Sequence, residues 1–313
     1  GFDRLGVAER AKCSILIMSL WSISILGFFV SSLAFQTSAQ IQLAKAEMNA
    51  FRGHWDLVSG LNLASLMIAS DPEPYEDSFR DSWHGEIKLP DSWKEKLSVR
   101  MEDEESKLNL NLAGEKLLAG LFEILQKDEG IRFREDTKGL VKAILKWRGG
   151  KKNQRFEFLE ELLLMEEMEG EDFEKLKPYV TVSSDVTSFP VINVNTALPV
   201  VLKAIVASIP GDEFRKKEFL ERLLEYREGK GEEEKIFRRE ELEPRLLASK
   251  LKLSPTVERI GLLNSLLPYL TTDSTTFHVS ISIKDGSKKA EAVIRQREDQ
   301  LKPVILFWNE DRP

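Results

Sequence analysis

Hydrophobic and polar positions fall into three successive styles along this chain. No Asp, Glu, Lys or Arg lies between Lys12 and Lys45, and Ile15 to Phe35 is apolar except for serines and Gly27. A helix of about 20 apolar residues crosses a bilayer, so the run predicts a membrane-spanning helix at about 15–35. Apolar residues then recur three and four apart from Ala39 to about Ser70, including Trp55, Leu57, Val58, Leu61, Leu63, Leu66 and Met67. That period predicts an amphipathic continuation of the same helix. Asp71-Pro72-Glu73-Pro74 ends it, because the residue before a proline is driven out of helical geometry. A looser polar stretch with Trp83 and Trp93 follows, and the alternation Leu97-Ser-Val-Arg-Met101 predicts a strand.

The second style is helical and duplicated. KLNLNLAGEKLLAGL (Lys107 to Leu121) shares its frame with VINVNTALPVVLKAI (Val191 to Ile205), so that Asn109 matches Asn193, Asn111 matches Asn195 and Ala113 matches Ala197. AILKWRGG around Trp147 resembles RLLEYREG around Tyr226, and LKPYVTV ending at Val182 resembles LLPYLTT ending at Thr272. Three matches in one order indicate an internal repeat. Each Asn-x-Asn element reads as a short extended piece. Its asparagines, Asn109, Asn111, Asn193 and Asn195, are expected to serve as structural helix caps, with Asn111 or Asn195 accepting a free N–H at the start of the next helix. Pro199 falls in a first helical turn, where its missing N–H costs little.

The third style is strand-like. Thr276 to Ile283 alternates, Asp285-Gly286 is a turn signal, Ala290 to Arg297 alternates again, and Pro303 to Trp308 is a short apolar run. Three antiparallel strands with one tight hairpin are predicted. Helices followed by strands give an α+β class rather than a parallel βαβ fold.

The flanks of the apolar run orient it. Arg4, Arg10 and Lys12 precede it and a neutral segment follows, which predicts a cytoplasmic N-terminus with the rest exported. A cleavable signal peptide is the competing reading, from the triplet Ser32-Leu33-Ala34, but the run exceeds the usual signal core and the helical pattern continues beyond it. Cys13 is the one cysteine, so the remainder has neither disulfides nor a thiolate zinc site. A formal net charge of −7 argues against a general nucleic-acid binder.

Candidate chemistry is sparse. His54, His84 and His278 stand in no ligand spacing, and no GxSxG, Walker or GxGxxG motif occurs. The carboxylate-rich stretch Glu160 to Glu174 lacks a DxDxDG frame; a solvated helix face backed by Leu162, Met165 and Met168 explains it better than calcium, and no cofactor is expected. The basic stretch Lys146 to Arg155, with Lys151 and Lys152, raises the alternative of a membrane-anchored helix-hairpin-helix DNA binder, which the acidic surroundings oppose.

RAKCSILIMSLWSISIL (Arg10 to Leu26), KLNLNLA (Lys107 to Ala113), AILKWR (Ala143 to Arg148), FEKLKPYVTV (Phe173 to Val182) and INVNTA (Ile192 to Ala197) resemble the minor pseudopilin K family of type II secretion systems, also called general secretion pathway protein K. The resemblance implies a non-enzymatic, inner-membrane, single-pass protein with a periplasmic globular part. That part would be a small pilin-like antiparallel sheet carrying a large inserted helical domain built from a duplicated helix-hairpin (SAM-like) unit. Its place would be the tip of the pseudopilus beside the I and J minor pseudopilins, priming assembly for export of folded proteins, with no nucleic acid as partner.

Carried onto this chain, the resemblance implies a leader of 1–13 cut by a prepilin peptidase between Cys13 and Ser14, and an N-terminal helix of 14–70. The pilin-like part would be 71–106 and 271–313, and the insert 107–270, with repeats at about 107–182 and 191–272. Met18, Trp21, Leu26, Phe28 and Phe29 would pack against neighbouring helices in the filament. Met18 occupies the fifth mature position, where most pilins carry Glu. Acidic residues that often follow the AILxWR element in the family are replaced here by Gly149-Gly150-Lys151-Lys152, so no calcium site is carried over.

Overall fold

The structure, a computed structural model, describes residues 3–73, 75–149, 155–182, 190–229, 235–296 and 302–311, with side chains from Ile15 onward. Lys151 and Lys152 lie outside the described residues. The chain forms two compact units, Gly1–Asp56 and Leu57–Pro313.

The first unit is a single helix, the N-terminal part of α1 (Asp3–Ala69). Ser19, Ser22 and Ser24 donate their hydroxyls to the carbonyls of Ile15, Met18 and Leu20 at 2.8–2.9 Å, and Thr37 does the same to Leu33. These polar side chains are thereby satisfied within the helix itself, the condition that a hydrocarbon environment sets. Pro72 is the first proline of the chain.

In the second unit the last turns of α1 lie on an antiparallel sheet. Leu57, Leu61, Ala64 and Ile68, spaced four, three and four apart, are buried. The sheet contains β1 (Gly85–Glu86), β2 (Leu97–Asp103), β7 (Thr276–Ile283), β8 (Lys289–Arg295) and β9 (Val304–Glu310), in the order β1-β2-β7-β8-β9. A single turn, α2 (Asp91–Lys94), precedes β2. Alternation places Leu97, Val99 and Met101 of β2 and Phe277, Val279 and Ile281 of β7 inside, with Val99 opposite Ile281 and Met101 opposite Val279. Trp83 packs edge-on to Phe277, centroids 4.9 Å apart. Each such fully buried aliphatic or aromatic side chain contributes roughly 1.5–3 kcal/mol. Gly60 gives α1 its close approach: a Cβ there would stand 2.9 Å from Ile281 Cγ2 and 3.2 Å from Val99 Cγ2. The predicted hairpin turn joins β7 to β8, with Gly286 at φ +78° and its N–H donating to the Ile283 carbonyl.

Between β2 and β7 the chain makes a helical excursion in two matching halves. The first comprises β3 (Leu108–Asn109), α3 (Glu115–Lys127), α4 (Thr137–Arg148), α5 (Gly170–Leu176) and β4 (Val180–Thr181). The second comprises β5 (Ile192–Asn193), α6 (Pro199–Ser208), α7 (Glu213–Glu228), α8 (Pro244–Lys250), α9 (Val257–Leu266) and β6 (Leu270–Thr271). Each half opens and closes on a two-residue parallel bridge, Leu108–Asn109 against Val180–Thr181 and Ile192–Asn193 against Leu270–Thr271. Their buried faces merge into one core separate from that under the sheet. The acidic stretch departs from one continuous helix: a 3₁₀ segment at Leu159–Leu164 precedes α5, and while Leu162, Met165 and Met168 are buried, Leu164 is 70% exposed.

Candidate assembly site

The four asparagines do not cap helices, contrary to the expectation from capping preference. α3 begins behind Gly114 and α6 behind Leu198, both without a side-chain cap, because each helix starts too far along the chain for the Asn-x-Asn side chains to reach its free N–H groups. Asn109 and Asn193 instead accept the N–H of Asn111 and Asn195 at 2.8 and 2.9 Å, closing tight local turns. Asn111 then accepts the Phe156 N–H at 2.8 Å and donates to the Phe156 carbonyl at 2.9 Å. Asn195 does the same to Phe237, at 2.8 and 3.0 Å.

The duplication extends to atoms that sequence matching left unassigned. Arg148 donates to the carbonyls of Leu110 and Ala113, and Arg227 to those of Val194 and Ala197. Trp147 stacks on Phe156 at 5.8 Å, and Tyr226 lies against Phe237 at 4.7 Å. Each half thus ties its opening turn to its own interior by one asparagine, one arginine and one aromatic pair.

A buried polar joint fastens these halves to the sheet. β2 ends at Asp103 and a 3₁₀ turn continues with Glu104 and Glu105, all three buried. Asp103 accepts the Glu105 N–H at 2.7 Å, the Ser274 hydroxyl at 2.7 Å and the Thr196 hydroxyl. Glu104 accepts the Thr181 hydroxyl and pairs with Lys107 at 2.8 Å. Glu105 accepts the Thr275 hydroxyl at 2.9 Å and the Thr276 N–H at 3.1 Å. Three successive acids therefore grip the second half, the first half and the returning chain. Asp77 joins them by accepting the Ser274 N–H at 2.6 Å, while Asn193 donates to its carbonyl. The four-acid run Glu102 to Glu105 reads in sequence as a solvated patch; the hydroxyl-rich return, Thr271 to Thr276, is the one signal of a buried complement.

Burial pushes Asp77 up to about 9 and Asp81 up to about 6, and also raises Asp103 and, more strongly, Glu105 beside it. Asp71, Asp77 and Asp81 bring one carboxylate oxygen each within 4.8 Å of one another, the one such trio among the described residues and the place where a divalent cation would meet three oxygens. Hydrogen bonds occupy them here: Asp71 accepts from Trp83 Nε1 at 3.2 Å and Asp81 from the Ser78 N–H at 2.6 Å.

The apolar run presents its side chains outward. Met18, Trp21, Leu26, Phe28 and Phe29 are each 63–72% exposed. One helix among the described residues is long and apolar enough to cross a membrane. Past the run, Ile41, Ala44, Met48, Phe51 and Trp55 form a stripe at three- and four-residue spacing, all exposed, flanked by Lys45, Glu47 and Arg52. Cys13 and Ser14 lie within the backbone of α1, but their side chains are outside the described residues.

No protein-family profile matches the sequence, and no curated protein sequence matches it. Among solved structures, a chain of the GspK-GspI-GspJ complex from the enterotoxigenic Escherichia coli Type 2 Secretion System is similar at a TM-score of 0.58. The fold is pseudopilin-like. The similarity covers 86% of this chain and 99% of that one at 15% identity, so backbone architecture carries it. In this chain the long apolar helix, the antiparallel sheet and the helical excursion combine in one α+β architecture.

Proposed function

We propose that this protein is a minor pseudopilin of the K type, a non-enzymatic component at the tip of a type II secretion pseudopilus. The observation that carries the reading is the large two-half helical excursion set between neighbouring strands of a pseudopilin-like sheet, behind a helix able to cross a membrane. In this role α1 holds the precursor in the inner membrane, N-terminus in the cytoplasm, and the sheet and helical halves stand in the periplasm. The domain limits are 14–70 for the helix, 71–106 with 271–313 for the pilin-like part, and 107–270 for the insert. A prepilin peptidase removes residues 1–13, and α1 moves from bilayer to filament, packing through Met18, Trp21, Leu26, Phe28 and Phe29.

Met18 supports the tip position on physical grounds. A carboxylate buried in hydrocarbon is costly unless it is paired, and a terminal subunit has no neighbour above it to supply an amine. The joint supports a load-transmitting role, since the helical halves are fastened by hydrogen bonds at several points and not by a bare linker. No cofactor enters this function.

Intact-mass and N-terminal analysis of the full chain from cells containing prepilin peptidase tests the reading, with Ser14 expected as the first residue. An uncut leader, or a cut near Ala34, overturns it. Co-purification of the full chain with the I and J subunits of the same secretion system is expected to yield a discrete 1:1:1 complex.

A further inference from the structure

A groove of about 310 Å³ opens between the first helical half and the face of the sheet opposite α1. Its floor is mixed, with His278 and Ser280 of β7, Glu291 and Val293 of β8 and Phe307 of β9; at the β9 end it is apolar, where Phe158 stands over Phe307 with ring centroids 5.3 Å apart. Inside, the charges are matched: Lys107 pairs with Glu104 at 2.8 Å, and Glu291 with Lys177 at 3.5 Å. On the rim they are not. Glu157, Glu160 and Glu174 line the same groove and are exposed, and among the described residues no cation pairs with them.

The groove reaches β9, the last strand of the sheet, at Phe307. Val304, Ile305 and Leu306 of this strand are 44%, 52% and 42% exposed. Edge strands are normally protected by lysines, prolines, bulges or a covering element; Lys302-Pro303 precede β9 and one register shift interrupts its pairing with β8 at Val293/Ile294, but Val304 to Trp308 itself contains no lysine or proline. Along Val304 to Trp308 no further strand pairs with β9 among the described residues, and that edge, the apolar rings of Phe158 and Phe307 and the acidic rim together define one kind of occupant.

We infer that the β9 edge and its groove form a docking site for an extended, basic-apolar segment of another pilin-like subunit, added as a strand beside β9 with its Lys or Arg side chains on the acidic rim. The identity of the partner rests on the pseudopilin reading; the chemistry of the groove does not.

The probe is a fluorescein-labelled, amidated eight-residue peptide alternating Lys and Val, titrated by anisotropy against the full chain in detergent micelles. It is expected to bind at least tenfold tighter than the same peptide with Glu in place of Lys. N-methylation of every second amide should cost tenfold or more, because strand pairing needs those N–H groups. The triple variant Glu157→Lys/Glu160→Lys/Glu174→Lys, exposed at all three positions, should weaken the Lys-Val peptide tenfold and bind the Glu-Val peptide better than wild type. Loss of that gain on N-methylation of the Glu-Val peptide separates strand pairing from mere charge attraction to an unfolded variant. Equal affinity for the two peptides, or indifference to N-methylation or to the triple variant, overturns the proposal. In the co-purification, wild type and triple variant assembling equally would remove the groove and leave the pseudopilin reading standing. A wild-type chain that binds the peptide but not the I and J subunits would do the reverse.

Discussion

Asn195 satisfies both polar groups of the Phe237 backbone at once, and all of these atoms are buried. Replacing it by Ala leaves an N–H and a carbonyl without partners, at a cost of about 2–4 kcal/mol. Asn195→Asp keeps the acceptor but loses the donor and buries a carboxylate against the Phe237 carbonyl, so it is expected to cost at least as much as Ala; Asn111→Ala, at a half-buried position, should cost less than Asn195→Ala. Urea denaturation of the full chain in detergent checks this order. The joint makes a prediction in pH. Asp77, raised to about 9, stays protonated in the fold while the unfolded chain ionises near 3.8. The folded state then binds the extra proton, so stability from this group is full below about pH 4 and declines towards pH 9, by at most about 1.4 kcal/mol per pH unit. Asp103 and Glu105 act in the same direction. Glu291 acts oppositely: beside His278 at 3.7 Å and Lys177 at 3.5 Å it is lowered to about 2, and its contribution is lost as pH falls from about 4.5 through 2. Asp77→Asn, neutral at every pH, should flatten the decline between pH 5 and 9 in the same denaturation series.

At the scale of elements, Gly60 is the position where α1 depends on a missing side chain. Gly60→Val places methyl groups into Ile281 and Val99 and is expected to cost about 1–3 kcal/mol through overpacking, read as a lowered thermal midpoint. Gly27, which has nothing within 4 Å of its would-be Cβ, is the matched control. The helices and strands that periodicity could specify were legible before the structure: α1 and its stop at Pro72, the β2 alternation, and the three C-terminal strands with their Asp-Gly turn. The repeat was also legible, since Asn-x-Asn sits in a fixed frame twice. What escaped was long-range partner choice. An asparagine next to a helix reads as a cap, yet Asn111 and Asn195 bind backbone 45 and 42 residues away. A run of four acids reads as solvated, yet Asp103 to Glu105 are buried because hydroxyls from Thr181, Thr196, Ser274 and Thr275 converge on them. Local pattern records how a segment is shaped, and carries little about which distant polar group completes it.

At the scale of the whole molecule, the excursion leaves the sheet after Asp103 and returns at Thr276, and Asp103 pairs with Phe277 in the β2–β7 ladder. Both exits therefore lie at the same end of two hydrogen-bonded neighbours. An axial push or pull on the helical halves enters β2 and β7 together and in the same sense, so the ladder between them is not sheared. The shear is passed outward to the short β1–β2 ladder and to the β7–β8 ladder, where seven residue pairs resist in parallel. Under a steady force the sheet would answer as a stiff strut, and rupture in a pulling experiment is expected at high force in a single step.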